Sequence, residues 1–167
     1  MALAPVAIRA AVAADAAAAC ECVRRSITAL CVDDHGHDPA LLARWLANKT
    51  AQNFAAWIDA PEQHAVVAQR DGTVVGFGLA RLADPVDPAP ATIALLYVDP
   101  AARFAGASDA LLRALEHAAR AHGRSRIDLV STATAQRFYA ARGYRPAGAS
   151  MPGFGRAPSQ PMTKTLD

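Results

Sequence analysis

The chain has 167 residues, of which 53% are hydrophobic, so it is long enough to form one domain with a core of its own. The 17 basic and 15 acidic residues nearly balance, and no basic block exceeds a pair, so the charge pattern of a nucleic-acid-binding protein is missing. No segment approaches about 20 consecutive apolar residues, so no membrane-spanning helix is expected.

The first part of the chain is predicted to form a strand and then a helix. Residues 6–12 have the composition of a strand, and residues 13–31 carry apolar side chains at helical spacing. Asp15 comes early in this helix and Arg24 and Arg25 come late, which matches the helix dipole. The segment lacks the positive charge that precedes the apolar run of a signal peptide, so we expect it to be folded structure.

The three cysteines are close together in the sequence, at Cys20, Cys22 and Cys31. Their odd number and their clustering argue against a disulfide framework and favour a reducing compartment, the cytoplasm. Cys20 is predicted to belong to the core, since Cys20 and Cys22 cannot both face one side of a helix.

A second helix and a hairpin are predicted next. In residues 38–50, Asp38 is a candidate N-cap and Pro39 occupies the first helical position. Residues 64–84 read as two strands around an Asp-Gly turn at residues 71–72, which is a strong hairpin signal.

The second half of the chain alternates strands with helices. A proline-rich loop at residues 84–91 precedes a strand at residues 92–98, which is too apolar to alternate and is therefore predicted to be central and buried on both faces. A helix at residues 106–122, a strand at residues 126–132 and a short helix at residues 134–143 follow.

Two last strands are predicted at residues 144–150 and 160–167, joined by a Gly/Pro-rich loop at residues 151–159. The complete order is strand, two helices, three strands, helix, strand, helix, two strands. Because this order contains no internal repeat and no linker, we expect residues 1–167 to form a single α/β domain.

Small residues and one arginine stand at the junction between the strand at 92–98 and the next helix. They are Arg103, Phe104, Ala105, Gly106, Ala107 and Ser108. A helix N-terminus presents unpaired N–H groups and a partial positive charge, which suit a phosphate. Arg103 would add a charge-assisted hydrogen bond and Ser108 a hydroxyl. The alternative is simple close packing, and the pattern matches neither the Walker motif nor the dinucleotide fingerprint.

This junction resembles the acetyl-CoA motif of the GNAT acetyltransferase superfamily. The family motif, Arg/Gln-x-x-Gly-x-Gly/Ala, follows a strand ending in Val-x-Pro and precedes a helix with paired leucines. It appears here as Val98-Asp99-Pro100, then Arg103-x-x-Gly106-x-Ser108, then Leu111-Leu112. The chain departs from the family at Ser108 and at Phe104, where the family often has glycine.

A second motif stands at the distance that the family pattern requires. The pattern Ala-x-x-Phe-Tyr-x-x-x-Gly-Phe appears as Ala135-x-x-Phe138-Tyr139-x-x-x-Gly143-Tyr144. Thr132 occupies a position where the family commonly has asparagine. The two motifs cover roughly residues 92–146, the hairpin is similar to the family's second and third strands, and the first 60 residues match only in pattern.

The resemblance implies an α/β (α+β) fold, with a mixed, mainly antiparallel sheet of about seven strands and helices on both faces. It implies transfer of an acetyl group from acetyl-CoA to a primary amine by direct attack, without a metal. The pantetheine arm would lie in a splay between the fourth and fifth strands and pair with the backbone of Leu96, Tyr97 and Val98. A backbone N–H near Val98 would face the carbonyl oxygen.

The remaining site residues are also assigned by the resemblance. Residues 103–108 and Thr132 would bind the cofactor. Tyr139 would protonate the leaving sulfur, because a phenol is protonated at neutral pH. The alternative is that Tyr139 is an aromatic residue of the core.

The base is not supplied by the resemblance, because the strand at residues 92–98 lacks the glutamate that many relatives carry. Proton removal is predicted to go through water or through the polar loop at residues 31–38. The candidates in that loop are His35 or His37 as the base and Asp33 and Asp34 as carboxylates that hold a cationic amine. The alternative is a solvated loop with Asp38 as a helix cap. The spacing of the Cys, His and Asp residues in this loop matches no strong zinc pattern, so no metal is predicted.

The acceptor is predicted to be a small amine rather than a protein. Trp45 and Trp57 are expected to pack in the N-terminal region or to line the acceptor pocket, and Phe154 to reach over that pocket or to pack against a second subunit of a homodimer. A non-catalytic acyl-CoA-binding module is the alternative function, because Phe104, Ser108 and the missing carboxylate depart from the family pattern.

Overall fold

The computed structural model describes residues 4–82 and 89–167. Most of the predicted proline-rich loop at residues 84–91 therefore lies outside the described residues. The described strands are β1 (Ala7–Ala10), β2 (Gln63–Arg70), β3 (Thr73–Arg81), β4 (Ala91–Val98), β5 (Arg126–Ser131), β6 (Arg145–Pro146) and β7 (Gln160–Thr165). The described helices are α1 (Ala16–Leu30), α2 (Val32–His35), α3 (Pro39–Leu46), α4 (Ala51–Asp59), α5 (Ala107–Ala121) and α6 (Gln136–Ala140).

Two of these helices were not predicted. The single turn of α2 lies within the polar loop at residues 31–38 and ends at Gly36, which has a left-handed φ of 57°. Helix α4 begins after Thr50, whose side chain accepts a hydrogen bond from the backbone N–H of Asn53. The Asp38 cap of α3 is confirmed, since its carboxylate accepts from the N–H groups of Ala40 and Leu41. Within residues 4–82 and 89–167, no helix has the length and hydropathy needed to cross a membrane.

The seven strands form one sheet in the order β1-β2-β3-β4-β5-β7-β6, which confirms the predicted mixed, mainly antiparallel sheet. Only β4 and β5 pair in parallel among the described strands. The predicted hairpin is confirmed: Asp71 and Gly72 connect β2 to β3 with φ angles of 50° and 75°. Two consecutive positive φ angles give the turn that matches the twist of a hairpin.

Helix α5 covers one face of the sheet. Its buried leucines pack with apolar side chains of β2, β4 and β5 into one core cluster. The helix can approach β3 closely because Gly76 and Gly78 have no side chains; an added Cβ would lie 2.9 Å from Leu111 and 3.1 Å from Leu115, respectively. The α5 face therefore holds the residues around the helix N-terminus in a fixed position against the sheet.

Helices α1, α3 and α4 cover the opposite face, so the prediction of helices on both faces is confirmed. The predicted helix at residues 13–31 is confirmed as α1, but Arg24 and Arg25 lie before its last turn, which carries no basic residue, so they do not complement the helix dipole there. Arg24 instead donates to the backbone oxygens of Leu46 and Lys49, and Arg25 forms an ion pair with Asp99 at 2.7 Å. These contacts fix α1 to the segment after α3 and to the end of β4.

The central strand β4 is interrupted by a bulge. Leu95 pairs with Leu79, but the next pair is Ile93 with Ala80, so Ala94 is an extra residue in β4. Pairing between β4 and β5 ends near this point, at Ile93 and Leu129. The gap between the two strands beyond this pair is called the splay below. Bulges bend strands in this way, and they occur often beside active sites.

The prediction that this strand is buried on both faces was wrong in part. β4 is the fourth of seven strands, but Thr92 and Ala94 are exposed. Their side chains open into a cavity that no helix fills. The apolar character of residues 92–98 therefore reflects the lining of a cavity as well as the core.

Candidate active site

A cleft of about 430 Å³ opens at the splay on the side of α5 and is called the splay cleft. It brings together all the predicted cofactor and catalytic residues except Ala105. Those that line it are Leu96, Tyr97, Val98, Arg103, Phe104, Gly106, Ala107, Ser108, Thr132 and Tyr139. These residues come from β4, from the start of α5, from the end of β5 and from α6, so the splay is where the two sequence motifs meet.

The edge of β4 that faces the splay is available for hydrogen bonding. Residues 95–98 of β4 pair with β3 on one side, but the ladder with β5 on the other side stops at Ile93. Unpaired backbone groups on a strand edge can bind an extended chain that carries amides. The pantetheine arm of coenzyme A is such a chain, so the chemistry of this edge fits it.

The N-terminus of α5 lies at one end of the same cleft. Gly106 is the N-cap with a φ of 78°, and a Cβ added there would meet no atom within 4 Å. Free space above the first N–H groups of a long helix fits a phosphate. The first turn also carries Ser108, which is partly exposed and lines the cleft.

Phe104 has an unusual conformation beside this helix. It is 95% exposed and has a φ of 61°, in the left-handed region that favours glycine. The guanidinium of Arg103 lies 4.7 Å from the centre of its ring. The departure from glycine at this position is therefore accommodated by turning the ring outward, where it leaves the backbone N–H groups accessible.

Tyr139 lies deep in the splay cleft, with 6% of its surface exposed. Its ring packs edge-on against Phe138 and Tyr144, at centroid distances of 5.2 and 5.4 Å. Burial raises the pKa of Tyr139 well above the ordinary value of tyrosine, so its hydroxyl is protonated at neutral pH. The ring therefore belongs to the core and the residue also lines the cleft, while its role as the proton donor stays a prediction.

Arg142 and Cys31 also line the splay cleft. Arg142 was not predicted to be a site residue, and Cys31 was considered only as part of the polar loop at residues 31–38. Arg142 bonds to Asp109 at 2.9 Å and stacks on Phe138, so a cation lies near the first turn of α5. Its position at the end of the second motif was the available signal. The thiol of Cys31 has its pKa raised to about 12 by burial, so Cys31 is an inert neutral group.

A larger cavity of about 870 Å³ lies on the other face of β4 and is called the side cavity. Its walls come from α3, α4, the ends of β3 and β4, and the loop at residues 152–159. Trp45 and Phe154 stack in its wall, with ring centroids 5.9 Å apart and an interplanar angle of 14°. The side cavity and the splay cleft share Ala94, Leu95, Tyr97, Val130 and Thr132, so they meet at the splay.

Asp34 lines the side cavity, but its carboxylate is engaged within the protein. It accepts hydrogen bonds from the N–H groups of Ala133 and Thr134 at 2.9 and 3.2 Å, and from the hydroxyl of Thr134. Its backbone oxygen accepts from the N–H of Arg156, and an added Cβ on Gly155 would lie 2.3 Å from that oxygen. Asp34 therefore joins α2 to the segment before α6 and to the last loop.

The two histidines of the polar loop at residues 31–38 line neither the splay cleft nor the side cavity. His35 is 1% exposed; its Nδ1 accepts from the N–H of His37, which assigns the proton to Nε2, within 3.2 Å of the backbone oxygens of Ile27 and Thr28. Both ring nitrogens of His35 thus have partners. His37 is exposed and lines neither the splay cleft nor the side cavity.

Asp33 is likewise exposed and lies outside both spaces. Of the four residues predicted to bind or deprotonate the acceptor, only Asp34 borders the side cavity. Among residues 4–82 and 89–167, no group of three His, Cys, Asp or Glu side chains is arranged to hold a metal ion.

The charged groups of the side cavity were missed from the sequence. Lys49, Arg44 and Arg81 line it, and Asp34 is the single carboxylate that lines it among the described residues. Lys49 is 4% exposed, and burial lowers its pKa. A lysine in a polar segment at the end of a helix gives no signal of burial, and the ring of Phe154, which its ammonium group faces at 5.8 Å, is distant in the sequence.

A family model described as an acetyltransferase (GNAT) domain matches residues 31–166. Among solved structures, the chain is similar to a GCN5-related N-acetyltransferase from Rhodopseudomonas palustris, with 27% identity, a TM-score of 0.79 and 99% of each chain covered. A search of curated protein sequences finds no significant match.

Two more distant structures share the fold. The PaiA N-acetyltransferase from Thermoplasma acidophilum, solved with coenzyme A, has 17% identity, a TM-score of 0.80, and coverage of 96% of this chain and 98% of its own. YncA, a putative acetyltransferase from Salmonella typhimurium solved with acetyl-CoA, has 24% identity, a TM-score of 0.73, and coverage of 97% and 94%.

Proposed function

The chain belongs to the GNAT acetyltransferase family, and we propose that it transfers the acetyl group of acetyl-CoA to the primary amine of a small molecule. The observation that carries the proposal is the meeting of two spaces at one break in the sheet. The splay cleft offers an open strand edge and a helix N-terminus, and the side cavity reaches the same splay from the opposite face. A thioester in the first and an amine in the second would therefore come together beside β4.

The proposed reaction is a direct transfer. The neutral amine nitrogen attacks the carbonyl carbon of the thioester, a C–N bond forms, the C–S bond breaks, and the sulfur leaves with the electron pair. Tyr139 gives its proton to that sulfur, the amine loses a proton to water, and water returns a proton to Tyr139. A backbone N–H near Val98 donates to the carbonyl oxygen as negative charge develops there.

The raised pKa of Tyr139 would by itself make it a weak acid. The splay cleft offsets this, because a thiolate in the same low-dielectric place is also a stronger base. Cys31 lines this cleft and its pKa is raised to about 12 by burial, compared with about 8.5 for an exposed thiol. Burial thus acts in the same direction on the pKa of the proton donor and on the pKa of a thiol that leaves in this cleft.

We propose that solvent water, and not a side chain of the protein, accepts the proton when the acceptor ammonium becomes the neutral amine. His35 has partners on both ring nitrogens, and His37 and Asp33 lie outside the side cavity. The cations that line this cavity disfavour an ammonium ion, so they lower the pKa of a bound amine. The rate should therefore rise with pH until the bound acceptor amine is neutral.

The test of the proposed function is calorimetry with acetyl-CoA followed by an amine panel with detection of the free thiol. Binding of acetyl-CoA with thiol release that requires an amine is expected. Binding without release for any amine would favour the non-catalytic acyl-CoA-binding module, and absence of binding would overturn the proposal. The cytoplasmic location and the homodimer stay predictions, which fractionation and light scattering would check.

A further inference from the structure

Among the residues that the structure describes, those that line the side cavity carry an excess of positive charge. Lys49, Arg44 and Arg81 line it, and within the described residues none of the three forms an ion pair with a carboxylate. The one carboxylate in its wall, Asp34, accepts hydrogen bonds from the segment before α6. A cavity with this charge repels acceptors that carry several positive charges.

Lys49 is the buried member of this set. Its Nζ donates to the amide oxygen of Asn48 at 2.7 Å and lies 5.8 Å from the centre of the Phe154 ring. An ammonium group has three donors, and within residues 4–82 and 89–167 only one of them has a hydrogen-bond partner, so two can bind a ligand. Buried ammonium groups are usually paired with an anion, because removal of the charge from water is otherwise uncompensated.

Arg44 and the aromatic rings define the surroundings of Lys49. The guanidinium of Arg44 is exposed and donates to the backbone oxygen of Phe154 at 3.2 Å, which places it at the same wall. The exposed ring of Phe154 stacks on the buried ring of Trp45, and Trp57 also lines the side cavity, so the lining is partly aromatic. A planar or apolar body would pack on the rings while an anionic group reached the cations.

We infer that the acceptor carries an anionic group, a carboxylate or a phosphate, beside its amine, and that Lys49 and Arg44 bind this group. This inference rests on the proposed function for the fate of the amine, but the anion site itself can be tested without catalysis. The anion would lie against α3 and Phe154, and the amine would point toward the splay that the two spaces share. The substrate class is thus amino acids or amino phosphates with an apolar body.

The first experiment measures binding of small anions to the protein without acetyl-CoA. The probes are phenylacetate, phenyl phosphate and phenylacetamide, which is a neutral analogue of phenylacetate. At least one anion should bind about tenfold or more tightly than the amide, and the better of the two identifies carboxylate or phosphate. Equal affinity for phenylacetate, phenyl phosphate and phenylacetamide would overturn the inference.

Variants then locate the site. Lys49→Met keeps the volume of the side chain and removes the charge, so the preference for the anion should fall to about twofold or less. Arg44→Gln, at an exposed position, should lower the preference for the anion by a smaller factor. This variant replaces Lys49→Met in the test if Lys49→Met does not fold. Arg126→Gln removes a charge at an exposed position outside both spaces and should change nothing. Unchanged preference in both Lys49→Met and Arg44→Gln would overturn the inference.

The second experiment uses turnover and separates the two proposals. Phenylalanine is compared with phenylalaninamide, and phosphoethanolamine with ethanolamine, by thiol release. The anionic member of at least one pair should have the higher kcat/KM by about tenfold, although the amide has the less basic amine. Equal or better use of the neutral members would overturn the inference alone, whereas failure to bind acetyl-CoA would overturn the proposed function alone.

Discussion

The splay cleft and the side cavity face each other across β4, but they are built from different parts of the chain. The splay cleft is made largely of backbone: an open strand edge and the first N–H groups of α5. The side cavity is made of side chains that come from α3, α4 and the last loop. A backbone site requires certain small residues at certain spacings, and such spacings can be found in a sequence. A site of converging side chains has no comparable spacing, which is why the motifs indicate the cofactor and leave the acceptor open.

The largest expected effect is a loss of kcat on removal of the Tyr139 hydroxyl, which removal of the neighbouring Tyr144 hydroxyl should not cause. Tyr139→Phe should lower kcat about 100-fold or more, since proton transfer by a positioned group contributes roughly that much. The affinity for acetyl-CoA should stay within about twofold, which a comparison of single-turnover rates with calorimetric Kd values would show. The Tyr139 hydroxyl has no protein hydrogen bond among the described residues, so its loss should barely change the free energy of unfolding.

Tyr144→Phe is the matched control, because Tyr144 packs on Tyr139 but lines neither space. Its hydroxyl donates to the buried Glu116 at 3.0 Å, so the variant should lower the free energy of unfolding by about 1–3 kcal/mol and leave kcat unchanged. Equal loss of kcat in both variants would mean that the packing of the rings, and not the Tyr139 proton, is what catalysis needs.

The next effect tests whether the side cavity depends on contacts between distant segments. Asp34→Ala removes the acceptor of three hydrogen bonds and should lower the free energy of unfolding by about 2–4 kcal/mol in urea titrations. Asp33→Ala, at the adjacent exposed position, should change it by less than about 0.5 kcal/mol. If Asp34→Ala had the same free energy of unfolding as the unmodified protein and only its KM for the amine were higher, Asp34 would be an acceptor-binding residue, as predicted from the sequence.

A smaller effect is expected at the helix N-terminus of the splay cleft. Ser108→Asp should raise the Kd of acetyl-CoA about tenfold, because the carboxylate repels a phosphate, while Ser108→Ala should stay within about threefold. The same carboxylate favours the helix dipole, so stability should be equal or higher by about 0.3–1 kcal/mol. Ser108 is a better test than Gly106, whose φ of 78° strains any replacement.

Acetyl-pantetheine, which lacks the nucleotide phosphates, sharpens this test. Its KM should be the same for Ser108→Asp and for the unmodified protein. A similar loss with acetyl-pantetheine and with acetyl-CoA would contradict the assignment of a phosphate to the start of α5.

The smallest effect concerns Phe104. Phe104→Gly should raise the free energy of unfolding by at most about 1 kcal/mol, since relief of the left-handed φ is partly offset by the greater chain entropy of glycine. The ring is 95% exposed, so no packing is lost. Thermal unfolding would measure the change, and a clear decrease in stability would show that the contact between Arg103 and the ring holds this loop.

The fold and the splay cleft were largely predictable because their signals are local. The turn at Asp71–Gly72, the cap at Asp38 and the small residues before α5 each specify a backbone conformation within a few residues. The bulge at Ala94 has no such signal, since alanine fits a regular strand as well. The strand was predicted to be buried on both faces because it is too apolar to alternate, and this pattern does not reveal the cavity that Thr92 and Ala94 line.

The aromatic residues Trp45, Trp57 and Phe154 of the side cavity were candidates in the sequence. The charged lining of the cavity was not predictable, because its contacts span more than half of the chain. Asp34 meets Thr134 and Arg44 meets Phe154, at separations of 100 and 110 residues. The partners of His35 were equally hidden from the sequence. A histidine between acidic residues in a short polar segment resembles a base, but its Nε2 lies against backbone oxygens of α1 and its Nδ1 accepts from the N–H of His37, partners that the sequence does not reveal.

The extra residue in β4 also bears on how such a site arises. Ile93, Leu96 and Val98 face the α5 core, whereas Leu95 and Tyr97 face the other core. With Ala94 removed, this alternation would run through the strand without interruption. The bulge thus amounts to one codon in the gene for an otherwise regular strand, placed where pairing with β5 stops. A strand can acquire such a bend by an insertion of three nucleotides, while every other core residue of β4 keeps its side of the sheet.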